Sequence, residues 1–172
     1  MHAESDQLID CIPRLRRYAR ALVSDQALAD DLVQDTLERA WNKLALWRSG
    51  SDMRAWLFGI MHNLHINQVR RPALATVAIE DDAYDLPVRA SQSDQLEVQD
   101  LHSALQLLSG DQRAVLLLVA LEQMSYEEIA NTLDIPMGTV MSRLARGREK
   151  LRTLMEGRAV YPPSTVPLKV VK

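Results

Sequence analysis

Thr139, Arg143, Arg146 and Lys150 fall at i, i+4, i+7 and i+11 of one basic stretch. At 3.6 residues per turn this spacing lines them up along one stripe of a helix. Guanidinium groups ordered in this way can contact guanine O6 and N7 bidentately or hold phosphates. Val140, Leu144, Gly147, Leu151 and Leu154 form a second, apolar stripe on the same segment, and Met141 and Ser142 flank the basic one. One face is therefore built to pack while another offers cations. Between 137 and 152 the cations are Arg143, Arg146, Arg148, Lys150 and Arg152 against Glu149 alone, whereas the whole chain carries a formal charge of −3. The global charge argues weakly against a nucleic-acid partner, but the local patch argues for one. A solvated basic face is the plainer alternative for the arginines taken alone.

The neighbouring elements are those needed to present such a helix. Ser125 and Glu128 fit a capping box that opens a short amphipathic helix ending near Leu133. Residues 134–136 read as a turn, with Pro136 suited to the first position of the next helix, which runs from about Met137 to about Met155. A short helix, a tight turn and a helix with one packing and one cationic face make a helix-turn-helix. Upstream, Ser109 with Gln112 fits another capping box, and 113–122 is apolar nearly all round, as in a buried helix.

The N-terminal part also reads as helices. Leu8, Ile12, Leu15, Ala19 and Leu22 form one stripe, interrupted by Pro13, where a helix is expected to start or kink. Residues 24–26 offer a cap for a second helix reaching about Leu46, with Trp41 expected in the core. Asp52 can cap a third helix, which turns Trp56, Leu57, Ile60, Met61 and Leu64 inward and stops before Pro72. On its other side Asn63, Asn67 and Arg70 share a face at i, i+4 and i+7, with Arg71 following. Asparagine both donates and accepts, so this face can address an exposed base; local hydrogen bonding is the simpler alternative. Residues 72–95 hold two prolines and set Glu80, Asp81, Asp82, Asp85 and Asp94 against Arg89. This stretch is expected to be a flexible acidic linker reaching roughly 80 Å at full extension. The expected fold class is all-α: two small helical domains, 1–71 and 96–157, joined by that linker and followed by a disordered tail at 158–172.

Other functional classes find little support. Cys11 alone allows no internal disulfide and no multi-cysteine zinc site, which fits a reducing, cytoplasmic compartment. No apolar run approaches the ~18 residues of a membrane span, and the N-terminus lacks the pattern of a signal peptide. His62 and His65 have no neighbouring carboxylate or cysteine in sequence to complete a metal site, and are expected to be one surface and one partly packed histidine. There is no glycine-rich phosphate loop and no nucleophile–base motif, so neither an enzyme nor a cofactor is expected.

Three stretches carry a resemblance: "DDLVQDTLERAW" at 30–41, "MRAWLFGIMHNLHINQVRR" at 53–71 and "MSYEEIANTLDIPMGTVMSRLARGREKL" at 124–151. In this order, separated by a variable linker, they resemble bacterial RNA polymerase sigma factors of the extracytoplasmic-function group. The resemblance covers about residues 8–155 and implies a transcription initiation factor, with a stress response as its setting. It implies that Asp31, Gln34, Asp35, Glu38 and Arg39 bind the clamp of core RNA polymerase. It further implies that Asn63, Asn67, Arg70 and Arg71 read the −10 element of promoter DNA, Asn63 beside a loop that receives a flipped base. Thr139, Ser142, Arg143, Arg146, Arg148 and Lys150 would read the −35 element, the same domain touching the polymerase flap. The acidic linker would thread basic channels of the polymerase, and an anti-sigma factor is implied as a further partner. Met141 departs from the family pattern, which often has a basic residue there, so one −35 contact becomes apolar or is lost. Two rival functions are a sigma-mimicking protein that occupies an anti-sigma factor and a stand-alone helix-turn-helix regulator. Binding to core polymerase separates both from a sigma factor.

Overall fold

The computed structural model describes residues 2–48, 50–70 and 92–159. Seven helices are seen among them: α1 (His2–Leu22), α2 (Gln26–Lys43), α3 (Met53–Arg70), α4 (Gln92–Gln106), α5 (Gly110–Glu122), α6 (Tyr126–Leu133) and α7 (Met137–Ala159). A 3-10 turn, Leu44–Leu46, closes α2.

α1 passes through Pro13 without ending. The cost of the missing N–H is met by packing on both sides of it, because Leu8, Leu15, Tyr18, Ala19 and Leu22 are all buried. α2 is capped by Asp25, whose carboxylate accepts from the Leu28 N–H at 2.9 Å. It turns Ala29, Leu32, Val33, Thr36 and Ala40 inward. Trp41 lies one step past Ala40, about 100° around the helix, and is 61% exposed, so the expected core position is corrected. Asp52 Oδ1 accepts from the N–H groups of Arg54 and Ala55 and so caps α3. Tyr18 and Phe58 meet edge to face at 5.0 Å between α1 and α3.

The helix-turn-helix half begins earlier than the sequence suggested, since 92–95 belong to α4. The rest of the expected linker, 72–91, lies outside the described residues, as does the tail from 160 onward; Arg158 and Ala159 still belong to α7. α5 is the central element, burying Ala114, Val115, Leu117 and Leu118. α7 packs on α5 and α6.

The two sets of helices share one apolar core. α1 packs on α5 and, more lightly, on α4, while α3 packs on α6. At Gly59 of α3 an added Cβ would stand 2.9 Å from the backbone oxygen of Thr132 in α6, so only glycine permits this approach. α3 is thus covered on two sides, by α1 and α2 and by α6. His62, expected on the surface or partly packed, is instead buried at 4% exposure, near Asp111 of α5 and Arg143 of α7.

Candidate nucleic-acid interface

The α6–turn–α7 unit is built by local hydrogen bonds. The Ser125 hydroxyl accepts from the Glu128 N–H at 3.2 Å, and the Glu128 carboxylate accepts from the Ser125 N–H at 2.7 Å, completing the capping box. These hydrogen bonds from Ser125 also lower the Glu128 pKa. Asp134 takes a left-handed conformation at φ 53°, which aspartate tolerates better than most residues. The Ile135 N–H then closes the end of α6 on the Ala130 carbonyl at 3.0 Å. The Pro136 carbonyl accepts from Thr139 and Val140, launching α7 in a new direction.

α7 buries Val140 and Leu144. Gly147 lies against α5, where an added Cβ would stand 3.4 Å from the Gln112 Cβ. The sequence stripe of Thr139, Arg143, Arg146 and Lys150 is one residue out of step with this packing face, and therefore flanks it rather than opposing it. The structure divides the stripe accordingly. Arg146 and Lys150 are exposed, as are Ser142 and Arg148, whereas Thr139 is partly covered. Arg143 leans toward α5, its guanidinium 3.0 Å from Asp111 and its side chain only 26% exposed. Ser142 donates its hydroxyl to the Thr139 carbonyl at 3.1 Å. Arg152 is drawn into pairs with Glu149 and Glu156. Met141 is half exposed beside the cationic face.

On the other set of helices Asp31, Gln34, Asp35, Glu38 and Arg39 are all exposed along α2. Asp35, Glu38, Arg39, Asn42 and Lys43 border a shallow groove whose far wall is Leu64 of α3. Asn63 and Asn67 are exposed on α3. Arg70 ends that helix, and Arg71 lies outside the described residues. The loop before α3 turns at Gly50, φ +89°, and the Ser51 hydroxyl donates to the Arg48 carbonyl.

The sequence reading missed a second group of residues. Glu122, at the end of the apolar run of α5, has a fully buried carboxylate 3.2 Å from Arg17 and 3.5 Å from Arg14. Arg17 also donates to the Leu121 carbonyl at 2.9 Å, and Arg54 to the Glu122 carbonyl at 3.0 Å. Arg113, at the start of α5, donates to the carbonyls of Leu22, Leu105, Gln106 and Leu108. The one available signal was a pair of charged residues bounding an otherwise apolar helix, which helical periodicity does not interpret. Beside this seam, burial lowers the His62 pKa to about 4, and its Nδ1 has no hydrogen-bond partner among the described residues. His65 is lowered too, by burial and then by Arg113.

No group of three or more histidine, cysteine or acidic side chains suited to a metal occurs among the described residues, and no helix among them is long and apolar enough to cross a membrane.

Residues 8–62 match the family described as the sigma2 domain of PhyR, and residues 98–151 match sigma-70 region 4. Among curated proteins, the chain is 36% identical over 152 residues to the ECF RNA polymerase sigma factor EcfG of Rhodopseudomonas palustris (strain TIE-1), covering 87% of this chain and 83% of that one. It is 33% identical over 146 residues to the ECF RNA polymerase sigma factor SigL of Mycobacterium tuberculosis, covering 83% and 82%. Among solved structures, the sigma factor RpoE in complex with the anti-sigma factor NepR, from Bartonella quintana, superposes with a TM-score of 0.73 at 33% identity, covering 91% of this chain and 98% of that one. CnrH in complex with the cytosolic domain of CnrY gives a TM-score of 0.68 at 27% identity, with coverages of 91% and 89%.

Proposed function

The chain belongs to the extracytoplasmic-function group of RNA polymerase sigma factors, and we propose that its promoter and polymerase contacts divide between its two sets of helices. As a sigma factor it binds core RNA polymerase and directs initiation at specific promoters. Residues 1–71 form one working unit and 96–157 the other. The exposed α2 side chains Asp31, Gln34, Asp35, Glu38 and Arg39 meet the polymerase clamp. Asn63, Asn67, Arg70 and Arg71 address the −10 element. Ser142, Arg146, Arg148 and Lys150 address the −35 element, with Thr139 at the edge and Arg143 held in place by Asp111. The second unit also touches the polymerase flap. The protein acts in the cytoplasm without catalysis of its own, within a stress response and under an anti-sigma factor.

One observation carries this reading: a helix-turn-helix whose first helix is capped at both ends turns an exposed cationic face outward in a chain that also bears an exposed carboxylate and amide face on α2. A single helix-turn-helix regulator has no use for the second face. Run-off transcription from genomic fragments, with purified core polymerase and with or without this chain, tests it. New promoter-dependent transcripts are expected. Binding to an anti-sigma factor without binding to core polymerase would instead make the chain a sigma mimic.

A further inference from the structure

Two methionines of α7 are placed unlike the others. Met137 and Met141, one turn apart, are half exposed, whereas Met53, Met61 and Met124 are buried in the core. At about 100° per residue, the side of α7 opposite Val140 and Leu144 carries Gly138, Ser142 and Ala145, all small and exposed. An added Cβ at Gly138 would meet nothing within 4 Å, so this lane is open. Met137 and Met141 border it on one side, Arg146 and Lys150 on the other. A lane of small side chains lets the helix come close to whatever lies in front of it, and the exposed cations beside it fit a polyanion. Ser142 has its hydroxyl proton committed to the Thr139 carbonyl, so toward a ligand it can only accept.

We propose that Met137 and Met141 select thymine within the −35 element by burying its C5-methyl group. The inference rests on the sigma-factor reading for the identity of the duplex, and adds apolar readers to the cationic ones. The thymine methyl is the one apolar group that base edges present in the major groove. The first turns of a recognition helix are the part that meets those edges, and Met137 and Met141 are the first and fifth residues of α7. A thioether has no proton to donate and is a weak acceptor, so it gains little from guanine O6 and N7 or from the amino groups of adenine and cytosine. Its unbranched, polarizable chain adapts readily to an apolar contact. Ser142 points the same way, since an acceptor suits adenine N6 or cytosine N4 and not guanine. An A·T pair can therefore satisfy Ser142 and a methionine together, whereas a G·C pair satisfies Ser142 alone. Cations that hold phosphates supply affinity without sequence information; the methionines supply a preference.

The test uses the full chain with core polymerase and duplexes selected from a pool randomised through the −35 region. In the selected sequences each thymine is replaced in turn by deoxyuridine, which removes the methyl group and keeps every hydrogen-bonding atom. At one or two positions the replacement should weaken binding about four-fold per methyl, the worth of one buried carbon. That ratio should hold as salt is raised, although total affinity falls. Met141→Ala should abolish the ratio at one position, and Met141→Leu, still apolar, should keep it. Met137 and Met141 are exposed, and alanine and leucine both favour helix, so the variants keep the fold; far-UV circular dichroism checks this. Equal binding of thymine and deoxyuridine at every position overturns the inference, as does a ratio that Met137→Ala and Met141→Ala leave unchanged. Weaker binding of these variants to core polymerase, with thymine and deoxyuridine bound alike, would make the pair a protein contact instead. Run-off transcription separates the two readings. If no promoter-dependent transcript appears, the sigma-factor reading fails, and the ratio is measured on duplexes selected by the chain alone, where its presence or absence still decides.

Discussion

His62 makes stability depend on pH in a direction fixed by its surroundings. It is nearly inaccessible, its Nδ1 is unpartnered among the described residues, and burial lowers its pKa from 6.5 to about 4. The facing charges do not cancel this effect. Asp111 of α5 favours the protonated ring, while His65 on the same helix and Arg143 of α7 oppose it. In the folded chain the imidazole therefore stays neutral down to about pH 4, whereas in the unfolded chain it takes up a proton near 6.5. The stabilising effect of the neutral buried ring is complete above pH 6.5 and is lost as the pH falls from there toward 4. At about 1.4 kcal/mol per pH unit the loss is roughly 2 kcal/mol by pH 5 and roughly 3 kcal/mol in full. Urea unfolding at pH 7.5 and pH 5.0 measures it. His62→Leu, similar in bulk and without a proton to bind, should remove that part of the pH dependence, while the carboxylates titrate alike in both proteins. Equal pH slopes for parent and variant would refute the account of a buried neutral histidine.

Three further outcomes are expected. Arg146→Ala should weaken −35 recognition by roughly 1–3 kcal/mol and relax preference at one position if it contacts a base edge, or weaken binding evenly with a shallower salt dependence if it holds a phosphate; mobility-shift titrations at several salt concentrations distinguish the two. Asn63→Ala should impair promoter opening, followed by permanganate reactivity, without changing affinity for core polymerase, because Asn63 is exposed on α3 and does not line the α2 groove. Ser125→Ala removes one arm of the reciprocal cap and should cost about 1 kcal/mol, read as a lower thermal midpoint.

Local chemistry was legible in the sequence and long-range chemistry was not. The caps at Ser125 and Asp52, the turn at 134–136 and the apolar stripe through Val140 and Leu144 depend on residues a few positions apart, and all appear in the structure; at Ser109 only one arm of the expected capping box forms, the hydroxyl accepting from the Gln112 N–H while the Gln112 Oε1 finds no partner among the described residues. Periodicity, however, assigns a helix one buried side. It therefore misplaced His62, which is buried near Asp111 and Arg143. It also treated Thr139, Arg143, Arg146 and Lys150 as equivalent, although their stripe borders the packing face and Asp111 captures Arg143. Trp41 failed for the opposite reason, since its size suggested core while its angle placed it outside. Glu122 was unreadable because its meaning depends on Arg14, Arg17 and Arg54, between 68 and 108 residues away.

That separation also has a consequence for synthesis. Arg17 meets the Glu122 side chain across 105 residues, and Tyr18 meets Ala114 across 96. At about 5–20 residues per second, the ribosome delivers the partners roughly 5–20 s after α1 itself. During that interval α1, α2 and α3 must hold together on the contacts among themselves, with Arg14 and Arg17 in water and the Tyr18 side unshielded. Long-range closure of this kind raises contact order and slows the last step of folding. A nascent chain arrested after α3 would present to proteases and chaperones the apolar seam that α5 later covers, while already displaying the α2 face. That face stays exposed in the finished fold, so polymerase can meet it before the seam is covered as well as after.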